Sequence, residues 1–154
     1  MDSERYATLL GKVIANLQSL EFVLRAYLHE HVDRREIRLP PGFDLGSAGV
    51  GAEVVESSLT DYSSLGEVMR RYNQVISDPD LRVALDLVDP RDALAHGRVS
   101  ANSPASHFVL LKFDKSQRGK TRITLSQELS EEWLSIQVAR VGSELSKVAS
   151  LLQP

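Results

Sequence analysis

The stretch Arg91-Asp92-Ala93-Leu94-Ala95-His96-Gly97 combines a guanidinium, a carboxylate and an imidazole within one predicted helix. Residues four apart lie about 40° apart around an α-helix, so Asp92 and His96 share a face. On that face Asp92 can accept a hydrogen bond from one imidazole nitrogen and leave the other free for acid–base chemistry. His96 also precedes Gly97, where the helix is predicted to end, and a helix C-terminus favours the protonated imidazole.

Arg91 precedes His96 by five residues, which places it about 140° away around the same helix. The two side chains therefore do not share a face within one chain. The planar guanidinium fork matches phosphate oxygens, and either its length or a second copy of the motif across a dimer would bring it and an imidazole to one phosphate. The alternative interpretation is structural: a histidine at a helix end, a glycine stop and an Arg–Asp surface pair. Spacing alone leaves both interpretations open.

Other catalytic and ligand-binding motifs fail on spacing or on composition. Gly119-Lys120-Thr121 lacks the preceding glycine of a phosphate-binding loop, since Asp114 stands at that position. His29 and His31 are two residues apart, so they point to different faces of a helix and do not form a metalloprotease pair. The chain contains no cysteine, which excludes disulfides, thiolate metal sites and cysteine nucleophiles. We therefore expect no metal site and no cofactor.

The charge of the chain is unevenly distributed. Lys and Arg number 18 against 21 Asp and Glu, a net charge of −3 that argues against a broadly basic nucleic-acid coat protein. Between positions 112 and 122, however, there are five basic residues and one acidic residue, Asp114, which gives a local charge of +5 − 1 = +4. This patch is a candidate contact for an RNA backbone. Alternatively, its charges protect an exposed strand edge, since no aromatic residue interleaves them for base stacking. The patch comprises Lys112, Lys115, Arg118, Lys120 and Arg122.

A long amphipathic helix is predicted from Ser3 to His31. Its apolar residues recur alternately four and three apart, the spacing of a helix that packs lengthwise on another helix. Glu21 borders this stripe and needs a cationic partner, which is either Arg25 one turn along the helix or Arg91 in the folded chain. The stripe comprises Tyr6, Leu10, Val13, Leu17, Leu20, Leu24 and Tyr27, widened by Ala7, Ile14 and Leu28.

Three further helical segments are predicted. Ser64 and Glu67 form a capping-box pattern that opens a helix ending near Ile76. A turn at residues 77–80 starts the next segment, in which Pro90 produces a kink or a restart with Asp89 as the cap. The inward face of that segment is predicted to consist of Leu81, Ala84, Leu85 and Val88. The last helix begins near Ser130, and its seam comprises Leu134, Val138, Val141, Leu145, Val148 and Leu152.

Two loops and a β-hairpin complete the prediction. Residues 39–57 form a long loop, because two prolines and four glycines fall within positions 39–52. Residues 98–106 are also predicted as loop. Residues 107–126 form the hairpin, with strands at 108–113 and 121–125 and with Val109, Leu111 and Phe113 facing the helices. The expected fold is a single, mostly α domain over residues 1–154, with four to five helices and a β-hairpin inserted before the last one.

The same sequence gives an expectation about compartment. We find no continuous apolar run near the ~18 residues of a membrane span, and the charged N-terminus lacks the apolar stretch of a signal peptide. These features predict a cytoplasmic protein without a membrane partner.

The motif and the order of elements resemble those of HEPN domains (higher eukaryotes and prokaryotes nucleotide-binding). The sequence RDALAHG is similar to the RN-xx-AHG motif of their prokaryotic members, with Asp92 where asparagine is usual. The long first helix with Glu21 and Arg25, the SLGEVM helix and the closing amphipathic helix are similar in order and character. Pro90 and the 107–126 hairpin are additions to the minimal four-helix core.

The resemblance implies a homodimer in which two Arg/His motifs face each other across a cleft. Many such domains are metal-independent endoribonucleases of toxin, abortive-infection or RNA-processing systems, some of them paired with an antitoxin or another protein. By position, His96 would be the acid/base, Arg91 would bind the phosphate and Asp92 would orient His96. Other members are non-catalytic modules that bind a nucleotide, RNA or a protein partner. A helical dimerisation protein in which the motif only ends a helix is a third alternative.

Overall fold

The computed structural model describes residues 1–34, 46, 48–102 and 107–152. Four α-helices dominate it, and a small antiparallel sheet lies between the third and the fourth in chain order. The chain is thus mostly helical, as predicted. The helices are α1 (Ser3–Leu28), α2 (Leu65–Val75), α3 (Val88–His96) and α4 (Glu131–Ala149), and the strands are β1 (Arg98–Asn102), β2 (His107–Phe113) and β3 (Ile123–Glu128).

The core lies where α1 packs along α4 and against α2. The predicted seams are confirmed: Val13, Leu17, Leu20 and Leu24 of α1 are buried, as are Leu134, Val141 and Val148 of α4. Each such side chain contributes about 1.5–3 kcal/mol through burial. Ala7 and Ile14, predicted to widen the α1 stripe, are instead exposed.

The end of α1 differs from the prediction of a helix to His31. The α-helical pattern stops at Leu28, and a π-helical turn, His29–Asp33, continues the chain. The wider turn directs both of its end residues inward, so that His29 and Asp33 are buried although both are polar. Residues 35–38, which follow this turn, lie outside the described residues.

The continuous helical stretch Ser3–Asp33 is long and apolar enough, by length and composition alone, to cross a membrane. The core helix of a globular domain meets the same criterion, and α1 buries one face against α2 and α4. The absence of a membrane partner therefore remains a prediction.

The capping box that opens α2 is confirmed. Ser64 Oγ accepts a hydrogen bond from the Glu67 amide at 3.4 Å, and Glu67 Oε2 accepts one from the Ser64 amide at 2.7 Å. After α2, the predicted inward face at Leu81, Ala84, Leu85 and Val88 is correct only in part, because Leu81 and Val88 pack half-buried against the core and Leu85 does not. Val83 and Leu87 are the buried residues, and Leu85 is 44% exposed.

The reason is local hydrogen bonding. Residues 82–84 are extended between two short 3₁₀ turns, Pro79–Leu81 and Leu85–Leu87. The Asn73 amide holds this segment by bonding the backbone of Val83 on both sides, at 2.8 and 2.9 Å. Helix α3 then starts at Val88 with Leu87 as its N-cap, so the predicted restart with Asp89 as cap is wrong. Pro90 lies at the third helical position, where no N–H is needed.

Gly97 ends α3 as predicted but not in the left-handed conformation common at helix ends, since its φ is −78°. Its importance comes from close packing. A Cβ here would clash with the Ala93 carbonyl oxygen and lie 2.8 Å from that of Leu111 in β2. The missing side chain therefore lets the end of α3 sit directly on the sheet.

We predict that Gly97→Ala lowers the free energy of unfolding by about 1–3 kcal/mol, the usual cost of overpacking. Chemical denaturation followed by circular dichroism measures it. Gly11→Ala is the matched control, because a Cβ at Gly11 meets no atom within 4 Å. Its position inside α1 predicts a gain of about 0.5–1 kcal/mol. Equal effects of the two substitutions would contradict the packing argument.

The sheet has three strands in the order β1-β2-β3, all antiparallel, rather than the two of a hairpin. Residues 98–102, predicted as loop, form β1, which pairs Val99 with Leu110. Residues 103–106 of that predicted loop lie outside the described residues, as do 39–45 and 47 of the predicted 39–57 loop. The third strand runs to Glu128, three residues past its predicted end.

The face of β2 that meets the helices is opposite to the predicted one. Leu110 is 1% exposed, and Phe108 stacks on Tyr6 of α1 with ring centroids 4.1 Å apart. Val109, Leu111 and Phe113 therefore lie on the outer face. The sequence FVLL is apolar at consecutive positions, so alternation could not determine which face points inward.

Candidate functional site

A cleft of about 260 Å³ lies between α1 and α3. Helix α1 contributes Ile14, Gln18 and Glu21, which recur three to four residues apart and so share one helix face. Helix α3 contributes the side chains of Arg91, Leu94 and Ala95. The short helix is anchored by Ala93, which is fully buried against the core. The cleft thus has an apolar floor and a charged end.

Arg91 forms that charged end, and two carboxylates hold it. Its Nη1 donates to Asp92 Oδ1 at 3.1 Å, and its Nη2 lies 3.7 Å from Glu21 Oε2. The Arg91 side chain is 29% exposed, so part of the guanidinium remains accessible to a ligand in the cleft. An anion entering here would exchange or share these carboxylate contacts.

Glu21 pairs with both of the partners that the sequence offered. Its Oε1 accepts from Arg25 Nη2 at 3.0 Å, while its other oxygen faces Arg91. The carboxylate therefore bridges two guanidinium groups from different helices. Because Arg25 is itself fixed, Glu21 has a defined orientation toward the cleft.

Arg25 is fixed by a turn that precedes α2. Its guanidinium donates to the backbone carbonyls of Ser58 and Ser63 and to Asp61 Oδ1 at 2.8 Å. Arg71 of α2 binds the other oxygen of Asp61 at 3.0 Å. Burial of Asp61 acts to raise its pKa, but hydrogen bonds from Arg25, Ser63 and Arg71 outweigh this and hold the pKa below its usual value.

Asp61, Arg71 and Asp33, which are not among the residues predicted for the site, complete this ion-pair network. Asp33 Oδ2 accepts from the Ser58 amide at 2.6 Å, and Arg71 lies 4.0 Å from the same carboxyl group. These residues come from a turn, a helix and a π-helical turn that are distant in sequence. No periodic pattern or motif marks them, so the sequence carries no local signal for these three residues.

His96 is placed apart from this network. It is the last residue of α3 and is exposed. Asp92 makes its hydrogen bond to Arg91, and no bond joins it to His96 within the part of the chain that the structure describes. The structure thus brings Glu21, Arg91 and Asp92 together and leaves the imidazole separate. A role of Asp92 in orienting His96 stays a prediction.

The basic residues of the hairpin lie in or next to the loop that connects β2 to β3. Lys115, Lys120 and Arg122 line a polar groove of about 330 Å³, whereas Lys112 is half-buried in β2. Arg118 and Gly119 form the loop tip with φ values of 53° and 74°. None of the five basic residues lines the Arg91 cleft, so one chain does not combine the two sites.

Within residues 1–34, 46, 48–102 and 107–152, no three His, Asp or Glu side chains are grouped as metal ligands would be. No protein-family model matches the chain, and searches of curated proteins and of solved structures found no match either.

Proposed function

We propose that this protein is a metal-independent endoribonuclease of the HEPN type that acts as a homodimer, with Arg91 and His96 as its working pair. The observation that carries the proposal is an accessible guanidinium in an open cleft, on the same short helix as an exposed histidine that pairs with no described residue. These two groups are sufficient for RNA cleavage by an internal nucleophile.

In this reaction the ribose 2′-OH attacks the adjacent phosphorus while an imidazole accepts its proton. The P–O5′ bond breaks, the 5′-oxygen leaves with a proton, and a 2′,3′-cyclic phosphate remains. Arg91 binds the non-bridging oxygens and offsets the negative charge that develops on them. The phosphate would replace Glu21 or Asp92 as the partner of the guanidinium.

The angular separation of Arg91 and His96 supports dimerisation. Because they lie about 140° apart on α3, one phosphate is best reached by Arg91 from one chain and His96 from another. The cleft also carries exposed apolar surface at Ile14, which is 39% exposed, and nearby on α1 Phe22 is 60% exposed. A second copy of the chain would cover such residues.

The direct test is cleavage of mixed cellular RNA by the purified protein in the presence of a metal chelator. The proposal expects fragments with 2′,3′-cyclic phosphate and 5′-hydroxyl ends. Intact RNA under all conditions, or cleavage that needs a divalent cation, would overturn it.

A non-catalytic module that binds a nucleotide, RNA or a protein partner such as an antitoxin is the second candidate. The observation that favours it is the pairing of Arg91 with two carboxylates, together with the absence of an Asp92–His96 bond in the described part of the chain. Binding of RNA without cleavage, unaffected by loss of His96, would support this candidate. In either function the proposed compartment is the cytoplasm.

If the hairpin contacts RNA, the double variant Lys115→Gln/Lys120→Gln should weaken binding and flatten its dependence on salt. Each lost phosphate contact reduces the slope of log K against log salt by about 0.7 for a single strand. Filter binding across a salt series measures the slope. Lys12→Gln, at an exposed site on α1, is the control. An unchanged slope would indicate that the lysines only protect the strand edge.

A further inference from the structure

The carboxylate of Glu21 is held in place beside Arg91. Arg25 donates to Glu21 Oε1 from Nε at 3.2 Å and from Nη2 at 3.0 Å. The Arg25 guanidinium is itself bound by Asp61 and by the Ser63 carbonyl oxygen, and only 11% of its side chain is exposed. Glu21 therefore has little freedom to turn away when another anion enters the cleft.

The second carboxylate at Arg91, that of Asp92, is less constrained. The Asp92 side chain is 37% exposed, and among the described residues it bonds only to Arg91. A phosphate that binds Arg91 can thus displace Asp92 into solvent. Glu21 remains beside the guanidinium, where its Oε2 lies 3.7 Å from Arg91 Nη2. The bound anion is then next to a fixed negative charge.

The charges around the Arg91 guanidinium are already balanced once Asp92 is displaced. Arg91 and Arg25 carry two positive charges, and Glu21 and Asp61 carry two negative ones. Paired hydrogen bonds from the guanidinium hold the first negative charge of a ligand. A second negative charge on the same ligand adds repulsion from Glu21, which is stronger in partly buried surroundings than in water. The cleft should therefore discriminate between ligands by their charge.

We propose that Glu21 makes the Arg91 cleft selective for phosphodiesters, which carry one negative charge, over phosphate monoesters, which carry two at neutral pH. A monoester loses its second proton near pH 6, whereas a diester within a strand stays singly charged. Glu21 thus favours internal linkages over terminal phosphates. This inference rests on the proposed function and adds the residue that determines its specificity.

The test compares two ligands that differ by one methyl group, methyl phenyl phosphate and phenyl phosphate. Both can place the phenyl ring on the apolar floor at Leu17 and Leu94. Binding is followed by NMR through the side-chain N–H resonance of Arg91, which is assigned by its loss in Arg91→Lys. At pH 7.5 the diester should bind about 5- to 50-fold more tightly, the effect of one nearby like charge at a protein surface.

At pH 5 both ligands are mainly singly charged, so this difference in affinity should disappear. Protonation of His96 over the same pH range acts on the diester as well, and the diester therefore serves as the reference for it.

Glu21→Gln should bring the two affinities at pH 7.5 to within about twofold of each other, because the amide keeps the size of the side chain and removes its charge. Glu30→Gln is the matched control and should leave the preference unchanged. Glu30 also pairs with an arginine four residues later, Arg34, but lies outside the cleft. If Glu21→Gln does not fold, Gln18→Glu adds a carboxylate one turn earlier in the cleft and should enlarge the preference.

The inference is overturned if wild-type protein binds both ligands equally at pH 7.5, or if neither ligand binds. It is also overturned if the preference persists in Glu21→Gln or is unchanged in Gln18→Glu. The cleavage assay separates these results from the proposed function. Cleavage of RNA without the charge preference leaves the ribonuclease standing and removes the role of Glu21, whereas the preference without cleavage does the reverse.

Discussion

His96→Ala should reduce the rate of metal-independent RNA cleavage by about 10²–10⁴-fold, the usual contribution of a positioned acid–base group. Its imidazole is exposed and has no partner in the described structure, so removing it should leave the free energy of unfolding unchanged. Gel-based cleavage assays and chemical denaturation measure the two quantities. His31→Ala is the control for cleavage only, since His31 is also exposed at a helix end but stacks on Tyr27 with ring centroids 4.2 Å apart.

The dimeric arrangement predicts that mixing rescues inactive variants. A heterodimer of Arg91→Ala and His96→Ala chains keeps one complete site, built from the Arg91 of one chain and the His96 of the other. Co-expressed variants should therefore recover part of the activity that each homodimer has lost. Equal cleavage by His96→Ala and wild-type protein would exclude His96 from the reaction. Failure of rescue would place both groups in one chain.

Arg25→Met should lower the free energy of unfolding by about 3–5 kcal/mol, the usual cost of removing one partner from a buried ion pair. The Arg25 side chain is 11% exposed, and its loss removes the hydrogen bonds that it donates to Glu21, to Asp61 and to two backbone carbonyls. This is a large part of the 5–15 kcal/mol by which a typical domain is stable. Thermal and urea denaturation measure the loss.

Arg34→Met is the matched control, because Arg34 also pairs with a glutamate four residues earlier but is 60% exposed. An exposed pair contributes less than about 1 kcal/mol. The loss of unfolding free energy caused by Arg25→Met should also depend on pH. The lowered pKa of Asp61 means that its contribution is present above its usual value of 3.8 and is lost as the pH falls toward the folded value. The deficit of Arg25→Met should therefore narrow in acid, and a deficit independent of pH would contradict this assignment.

The sequence was sufficient for the elements whose signals are local. The capping box at Ser64, the seams of α1 and α4 and the stop at Gly97 follow from side-chain type and spacing within one or two turns. The charged end of the cleft could also be predicted from the sequence, because Glu21 borders an apolar stripe and needs a cationic partner. Both candidate partners were named, and the structure uses both.

Other features depend on contacts between distant residues. The segment before α3 is extended because Asn73 bonds Val83, which no periodic pattern in residues 79–88 reveals. Strand β1 exists because β2 offers it a hydrogen-bonding edge, although its own sequence RVSAN has little strand character. Asp61 joins the site through tertiary ion pairs. The bond between Arg91 and Asp92, by contrast, is local and is the Arg–Asp pair of the structural alternative.

The close contact at Gly97 has a consequence for the entropy of any reaction at His96. The backbone that follows the imidazole is clamped between α3 and β2, so its torsion angles are already restricted before a substrate arrives. Only the two side-chain torsions of His96 remain free, and ordering a side chain of this kind costs about 0.5–1.5 kcal/mol. Most of the ordering of His96 itself is thus completed during folding, and only this side-chain cost remains for that residue when a complex forms.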